Sequence, residues 1–229
     1  KDVLIPANTF IATANAVVHA GGNPVLVDVK ENLCMDPKNL KEKITKNTKG
    51  IVFVHISGLV PKEILEVQKI CKDNNFFLIE DAAHAHGSTL NGIKVGNFSD
   101  AASFSFYPTK IITSGEGGMI NTNNEAMNNL ARVIRDQGKS GFFTADFIEF
   151  GHNYRMSELK AAVGLTHLKH LDSFIKERNE IAKKYDKALK SIKGIKSLKI
   201  PEESKSNYYK YIAFLDKGID RAAVKKELK

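Results

Sequence analysis

From Val3 to Asp81 short apolar runs alternate with amphipathic or alanine-rich stretches, and this alternation narrows the possible folds more than any other feature. Val3 to Ile5 reads as a buried strand, Pro6-Ala7-Asn8-Thr9 as a turn, and Phe10 to Ala20 as an alanine-rich helix closed by Gly21-Gly22. Val25 to Val29 is the next strand. Pro37 to Thr45 suits a helix with Asp36 as its N-cap, and Gly50 to His55 suits another strand. Ile64 to Asn74 is amphipathic, and Phe76 to Ile79 is a strand that ends in Glu80-Asp81. Strands that alternate with helices at this spacing pair in parallel, because each helix carries the chain back over the sheet. The predicted class is therefore α/β, a mostly parallel sheet sandwiched by helices. In such sheets the functional crevice lies beyond the carboxyl ends of the strands.

Three groups fall at those ends: the turn with Thr9 and Phe10, the segment Asp81 to Gly87, and Lys110. Ser103 to Tyr107 alternates polar and aromatic residues as a strand does, and Pro108 then removes a ladder donor, so the strand is expected to stop there. Lys110 follows at its mouth, and the run Gly115-Glu116-Gly117-Gly118 lets the chain reverse and return through Met119 to Asn121. A lysine held at the end of a buried strand can be desolvated, which favours the neutral amine that attacks an aldehyde. An arbitrary lysine is solvent-exposed, so the aromatic and glycine surroundings carry this expectation.

Asp81 should face the crevice, where a carboxylate can hold a ring nitrogen protonated; capping the helix or turn from Ala82 onward is the alternative. His84 and His86 follow, without a third ligand at metal-binding spacing. Ser105 could bind a phosphate or simply bond within its strand.

The later chain changes character. Asn124 to Arg135 reads as a helix, Gly138 to Gly151 as a loop carrying Phe142, Phe143 and Phe147, and Ser157 begins a long helical pattern that runs through Leu189 and breaks near Lys193-Gly194. Tyr208 to Leu215 reads as a strand and Asp220 to Leu228 as a helix. The net charge of +8 resides wholly between Glu158 and Lys229, where 18 Lys and Arg face 10 Asp and Glu. It is nearly all lysine spaced among acids along a helix, a solvated face without the arginine forks and interleaved aromatics of nucleic-acid binding. No apolar run reaches the ~18 residues that span a bilayer, and the first residues are not organised as a signal peptide. Cys34 and Cys71 stand alone, which suits a reducing cytoplasm.

The segments Ile5-Pro-Ala-Asn-Thr-Phe-Ile-Ala-Thr-Ala-Asn-Ala16, Ile79-Glu-Asp-Ala-Ala-His-Ala-His-Gly87, Ser103-Phe-Ser-Phe-Tyr-Pro-Thr-Lys110, Gly115-Glu-Gly-Gly118 and Gly151-His-Asn-Tyr-Arg-Met-Ser-Glu-Leu-Lys-Ala-Ala162 resemble the DegT/DnrJ/EryC1/StrS family of sugar aminotransferases. The resemblance implies the fold-type I architecture of enzymes that use pyridoxal 5′-phosphate (PLP). It implies Lys110 as the lysine that binds the cofactor covalently and moves the proton, and Asp81 as the partner of the pyridine nitrogen. Phe10 and Ala83 would pack the two ring faces, His84 would stand where many members have glutamine beside the ring oxygen, and Ser105 would bind the phosphate. Asn153 would reach the phosphate of a neighbouring subunit, so a homodimer with shared sites is implied, and Arg155 would lie near the substrate. The implied reaction moves an amino group, from an amino acid such as glutamate, to a keto group of a nucleotide-linked deoxysugar. A non-catalytic PLP-binding regulator and a truncated, inactive scaffold are the alternatives. Against the family pattern, residues 1–192 are expected to form the large PLP-binding domain without its N-terminal phosphate-binding segment, and 193–229 to begin a small C-terminal α+β domain.

Overall fold

The computed structural model describes residues 1–228 apart from Phe142 and Ala145, so Phe142 of the predicted aromatic loop lies outside the described residues. The chain opens with β1 (Asp2–Pro6), α1 (Ile11–His19), β2 (Asn23–Val27), α2 (Pro37–Lys43), β3 (Thr48–Val54), α3 (Glu63–Asn74) and β4 (Phe77–Asp81). A hairpin of β5 (Thr89–Leu90) and β6 (Ile93–Lys94) precedes β7 (Ala101–Ser105) and β8 (Gly118–Asn121). Then come α4 (Glu125–Arg135), α5 (Glu158–Lys169), α6 (Leu171–Leu189), β9 (Ile195–Ser197), β10 (Ser204–Lys205), β11 (Ala213–Leu215) and α7 (Arg221–Glu227). Among the described residues the main sheet has six strands in the order β2-β1-β3-β4-β7-β8, parallel except for β8, which runs antiparallel to β7. The α/β expectation from strand and helix alternation holds.

The alternation of β1 explains why helices lie on both faces. Leu4 joins the core that α2 and α3 complete through Leu40, Ile64, Val67 and Ile70, whereas Val3 and Ile5 turn to Val17 of α1. Burying an aliphatic side chain of this size contributes about 1.5–3 kcal/mol, so each helix is held by its apolar stripe rather than by propensity alone. Caps do the rest: Asp36 accepts from Lys38 N at 3.0 Å, Asn124 from Met127 N at 3.0 Å, and Asn75 closes α3 in the left-handed conformation. No helix among the described residues is long and apolar enough to cross a membrane.

Several boundaries differ from the sequence expectation, and four of the differences have a physical reason in the structure. β2 begins at Asn23 and admits Pro24, because β2 is an edge strand whose missing donor faces away from the ladder. β7 ends at Ser105 rather than Tyr107, since the Ser105 hydroxyl accepts from Tyr107 N at 3.3 Å while Thr113 Oγ1 and Ser114 N donate to the Phe106 carbonyl. The long helix is two helices that meet at His170, whose backbone leaves helical geometry (φ −100°, ψ 1°) while its N–H donates to His167 O at 3.0 Å. Of the stretch Tyr208 to Leu215 only Ala213–Leu215 is strand, because Tyr208 has a left-handed backbone with φ 48°. Within the C-terminal stretch, β10 pairs with β5 beside the large sheet, and β9 pairs with β11.

Candidate active site

β4 ends where the sheet opens, and its last two side chains point to opposite faces. Glu80 turns inward and is fully buried. Its Oε1 accepts from Gly96 N at 2.9 Å and lies 2.9 Å from His55 Nε2, and its Oε2 accepts from Phe98 N at 3.0 Å and Ser99 Oγ at 2.8 Å. Burial by itself would push this carboxyl up; the bond and charge of His55 with the Gly96 and Ser99 donors outweigh it and hold Glu80 below its ordinary value. Asp81 turns outward to a cavity, its Oδ2 accepting from Thr13 Oγ1 at 2.8 Å and its Oδ1 from Ala83 N at 3.2 Å. The backbone on either side is pinned as well, with His55 N donating to Asp81 O at 3.1 Å and Ala82 N to Ser103 O at 2.9 Å. A carboxylate fixed in this way keeps lone pairs for a ligand at a set position.

Lys110 stands on the turn after β7, which closes through Lys110 N donating to Tyr107 O at 3.0 Å and Gly115 at φ 79°. Its Nζ lies 4.9 Å from the centroid of the Tyr209 ring. His84 stacks on that same ring at 4.4 Å, and its Nδ1 accepts from Ser57 N at 3.2 Å. Burial, helped by the charges of Lys110 and Lys210, pushes His84 down to about 4, so at neutral pH the ring is uncharged and its Nε2 carries the proton. His86 is buried between Phe104 and Phe106, and burial together with the charge of Lys110 likewise pushes it down to about 4. The two thiols are inert in this setting, both pushed up to about 12 by burial.

A cavity of about 1160 Å³ joins these groups and runs on along the sheet face over Val3, Val52 and Ile79. Phe10, Asp81, Ala83, His84, Ser105 and Lys110 all line it. Phe10 is 70% exposed there. Asn153 and Arg155 lie elsewhere: Asn153 is exposed and bridges to Asp136, which also pairs with the Arg155 guanidinium. Thr13 and Tyr209 also line the cavity and Asn207 is bonded behind its wall to the His84 carbonyl, none of the three having been singled out from the sequence. The Thr9 and Thr13 spacing of one helical turn was a signal for the first, since Thr9 Oγ1 lies 2.7 Å from Thr13 Oγ1. Nothing local marked the other two, which reach the site from about a hundred residues downstream.

The donor set fits PLP. A primary amine suits its aldehyde, a carboxylate its ring nitrogen and a hydroxyl its phosphate, and here all three line one cavity with apolar walls.

Comparison with known proteins agrees with this chemistry. The model of the DegT/DnrJ/EryC1/StrS aminotransferase family matches residues 1–229. The chain is 36% identical over 211 residues to GDP-perosamine synthase of Escherichia coli O157:H7, which covers 92% of this chain and 56% of that protein. PseC of Helicobacter pylori, an aminotransferase involved in the biosynthesis of pseudoaminic acid, superposes with a TM-score of 0.90 at 32% identity, over 94% of this chain and 58% of that one. Spr1654 of Streptococcus pneumoniae, described as a candidate sugar aminotransferase and solved in its PLP form, superposes with a TM-score of 0.90 at 28% identity, over 100% of this chain and 64% of that one. The chain spans no more than about 60% of the first curated relatives it matches.

Proposed function

This chain belongs to the DegT/DnrJ/EryC1/StrS aminotransferase family, and from that premise we propose that it transfers an amino group, with PLP, from an amino acid such as glutamate to a keto group of a nucleotide-linked sugar. The observation that carries the reading is the meeting of Asp81 and Lys110 in one cavity at the carboxyl edge of a parallel sheet. The bound cofactor supplies an electron sink for the substrate's α-carbon. In this reading Asp81 holds the proton on the ring nitrogen, and the bonds from Thr13 and Ala83 keep its carboxylate aimed there. Phe10 and Ala83 cover the ring faces and exclude water. His84, neutral and with its proton on Nε2, donates a hydrogen bond to the ring oxygen. The Ser105 hydroxyl, which accepts from Tyr107 N, still has its own proton to give a phosphate. Lys110 would hold the aldehyde through Nζ and would carry the substrate proton.

The same reading has Asn153 reach the phosphate in a second copy of the chain and puts Arg155 near the substrate. Its support is a run of exposed apolar groups next to them: Tyr154, Leu165 and Leu168 are all more than half exposed, and Leu159 is 82% exposed. A monomer rarely leaves so many large apolar side chains together in water. The absence of any buried residue in α5 is what a helix packed against a twin subunit would show alone.

The test is an absorbance spectrum of the chain with PLP before and after borohydride, followed by peptide mapping. A near-visible band fixed by reduction onto Lys110, and lost in Lys110→Ala, is the expected result. A band that survives Lys110→Ala, or label scattered over surface lysines, sinks the reading. A labelled Lys110 with no turnover of a keto sugar nucleotide and glutamate by a PLP-loaded dimer would point to a non-catalytic binder.

A further inference from the structure

The segment 206–210, whose Tyr209 lines the cavity, is anchored with more bonds than a passing loop needs. Asn207 is fully buried, and its side-chain amide donates to the carbonyls of His84 and His86, each at 2.9 Å. Its Oδ1 accepts from Tyr209 N at 2.9 Å, and its own N–H donates to Ser88 Oγ at 3.0 Å, which in turn donates to Gly58 O at 2.7 Å. Gly58 has φ 91°, and a Cβ there would collide with Asn207 Oδ1, so only glycine admits this clamp. Tyr208 independently carries strain, with φ 48° on a bulky aromatic residue. Arg178 Nη1 donates to Tyr208 O at 3.3 Å and Asn179 Nδ2 to Ser206 O at 3.0 Å, which holds that conformation in place.

The product of the clamp and the strain is one side chain turned into the site. The Tyr209 hydroxyl lies 2.9 Å from Thr109 Oγ1, its ring stacks on His84, and Lys110 Nζ lies over it at 4.9 Å, with Lys210 Nζ at 5.0 Å from the same centroid. Among the described residues no carboxylate forms an ion pair with Lys110.

We propose that Tyr209 is a positioning residue for Lys110: its ring is the seat on which the lysine nitrogen rests when it is not joined to the cofactor, and from which it serves the substrate proton. The inference rests on the aminotransferase reading above. An aromatic face attracts an ammonium without fixing it to one acceptor, as a carboxylate would. Nζ therefore stays at the cavity yet remains free to move. In the step it would serve, Nζ would take the proton from the donor's α-carbon and hand the same proton on, so no proton is gained or lost.

The test uses the PLP-loaded chain, with borohydride labelling of Lys110 and the rate of the glutamate half-reaction measured with ordinary and α-deuterated glutamate. Tyr209→Leu should label Lys110 as the parent does, slow the half-reaction by about tenfold or more, and raise the deuterium isotope effect as proton transfer becomes limiting. Tyr209→Phe, which keeps the ring and loses only the bond to Thr109, should restore the rate to within about threefold of the parent. If Tyr209→Leu does not fold, Tyr209→His, a ring that stacks on His84 but attracts cations weakly, carries the same expectation. A leucine variant within twofold of the parent, or slowed with an unchanged isotope effect, overturns the inference while leaving the aminotransferase reading intact. A parent chain without label on Lys110 overturns both.

Discussion

The wall around Asp81 and the surface around Asn153 belong to the same chain but are built on opposite principles. At the first, buried groups are bonded inside the chain: Glu80 takes three donors besides His55, and Asn207 makes four hydrogen bonds while excluded from water. At the second, Asn153 and Arg155 sit on exposed chain next to helices α4 and α5, neither of which buries a residue. The first region is preorganised by the protein itself, so chemistry there can rely on fixed atoms. The second holds apolar surface in the state a partner would find it. Among the described residues Asn153 and Arg155 are held to Asp136 alone, whereas the Asp81 wall is held by a buried network of several elements.

The sharpest way to break the contrast is at Asn207. Replacement by alanine strands the carbonyls of His84 and His86 and the Tyr209 amide in a dry interior, with an expected loss of about 4 kcal/mol read from urea unfolding; a loss under about 1 kcal/mol would mean that water satisfies them. Next comes Glu80→Gln, which sets an amide N–H₂ against donors that all point at one carboxylate. It should cost about 3 kcal/mol by the same measurement, with the β5–β6 hairpin exchanging amide hydrogens first.

A pH titration of stability tests the same wall from another side. His84 and His86 are both depressed from 6.5 to about 4, so the unfolded chain binds protons that the folded chain refuses between those values. Stability should therefore be complete above pH 6.5 and fall as the pH drops towards 4, by about 1–3 kcal/mol for the buried His86, and His86→Gln should flatten the slope. A flat profile through that window would show that both rings titrate freely. The smallest effect belongs to the outer surface. Leu165→Ser should change unfolding of an isolated monomer by no more than about 0.5 kcal/mol, yet weaken self-association in sedimentation; a large loss of monomer stability would mean that α5 packs within its own chain.

Much of this was legible in the linear chain. The alternation of Val3 to Asp81 carried the parallel sheet because the helical and strand periods are local properties, and Asp36, Asn124 and Ser157 marked helix starts through bonds to residues two or three positions away. Asp81 was legible because it stands at the end of a strand that pattern alone could place, and Lys110 because Pro108 and the glycine run from Gly115 mark the turn that carries it. The end of β7 and the break at His170 were not, since a side-chain bond to Ser105 and a local change of backbone angle at His170 run against a continuing pattern.

By itself, the sequence determined the fold class, the sheet edge at which the site opens, and the cavity residues supplied by neighbouring strand ends and turns. Only the tertiary structure decided that Tyr209 lines that cavity and that Asn207 holds it there. A strand end is set by periodicity within a few residues, whereas the meeting of Tyr209 with Thr109 closes a loop of a hundred residues and depends on a glycine at position 58, a strained backbone at 208 and an amide clamp that exist only once the chain has folded.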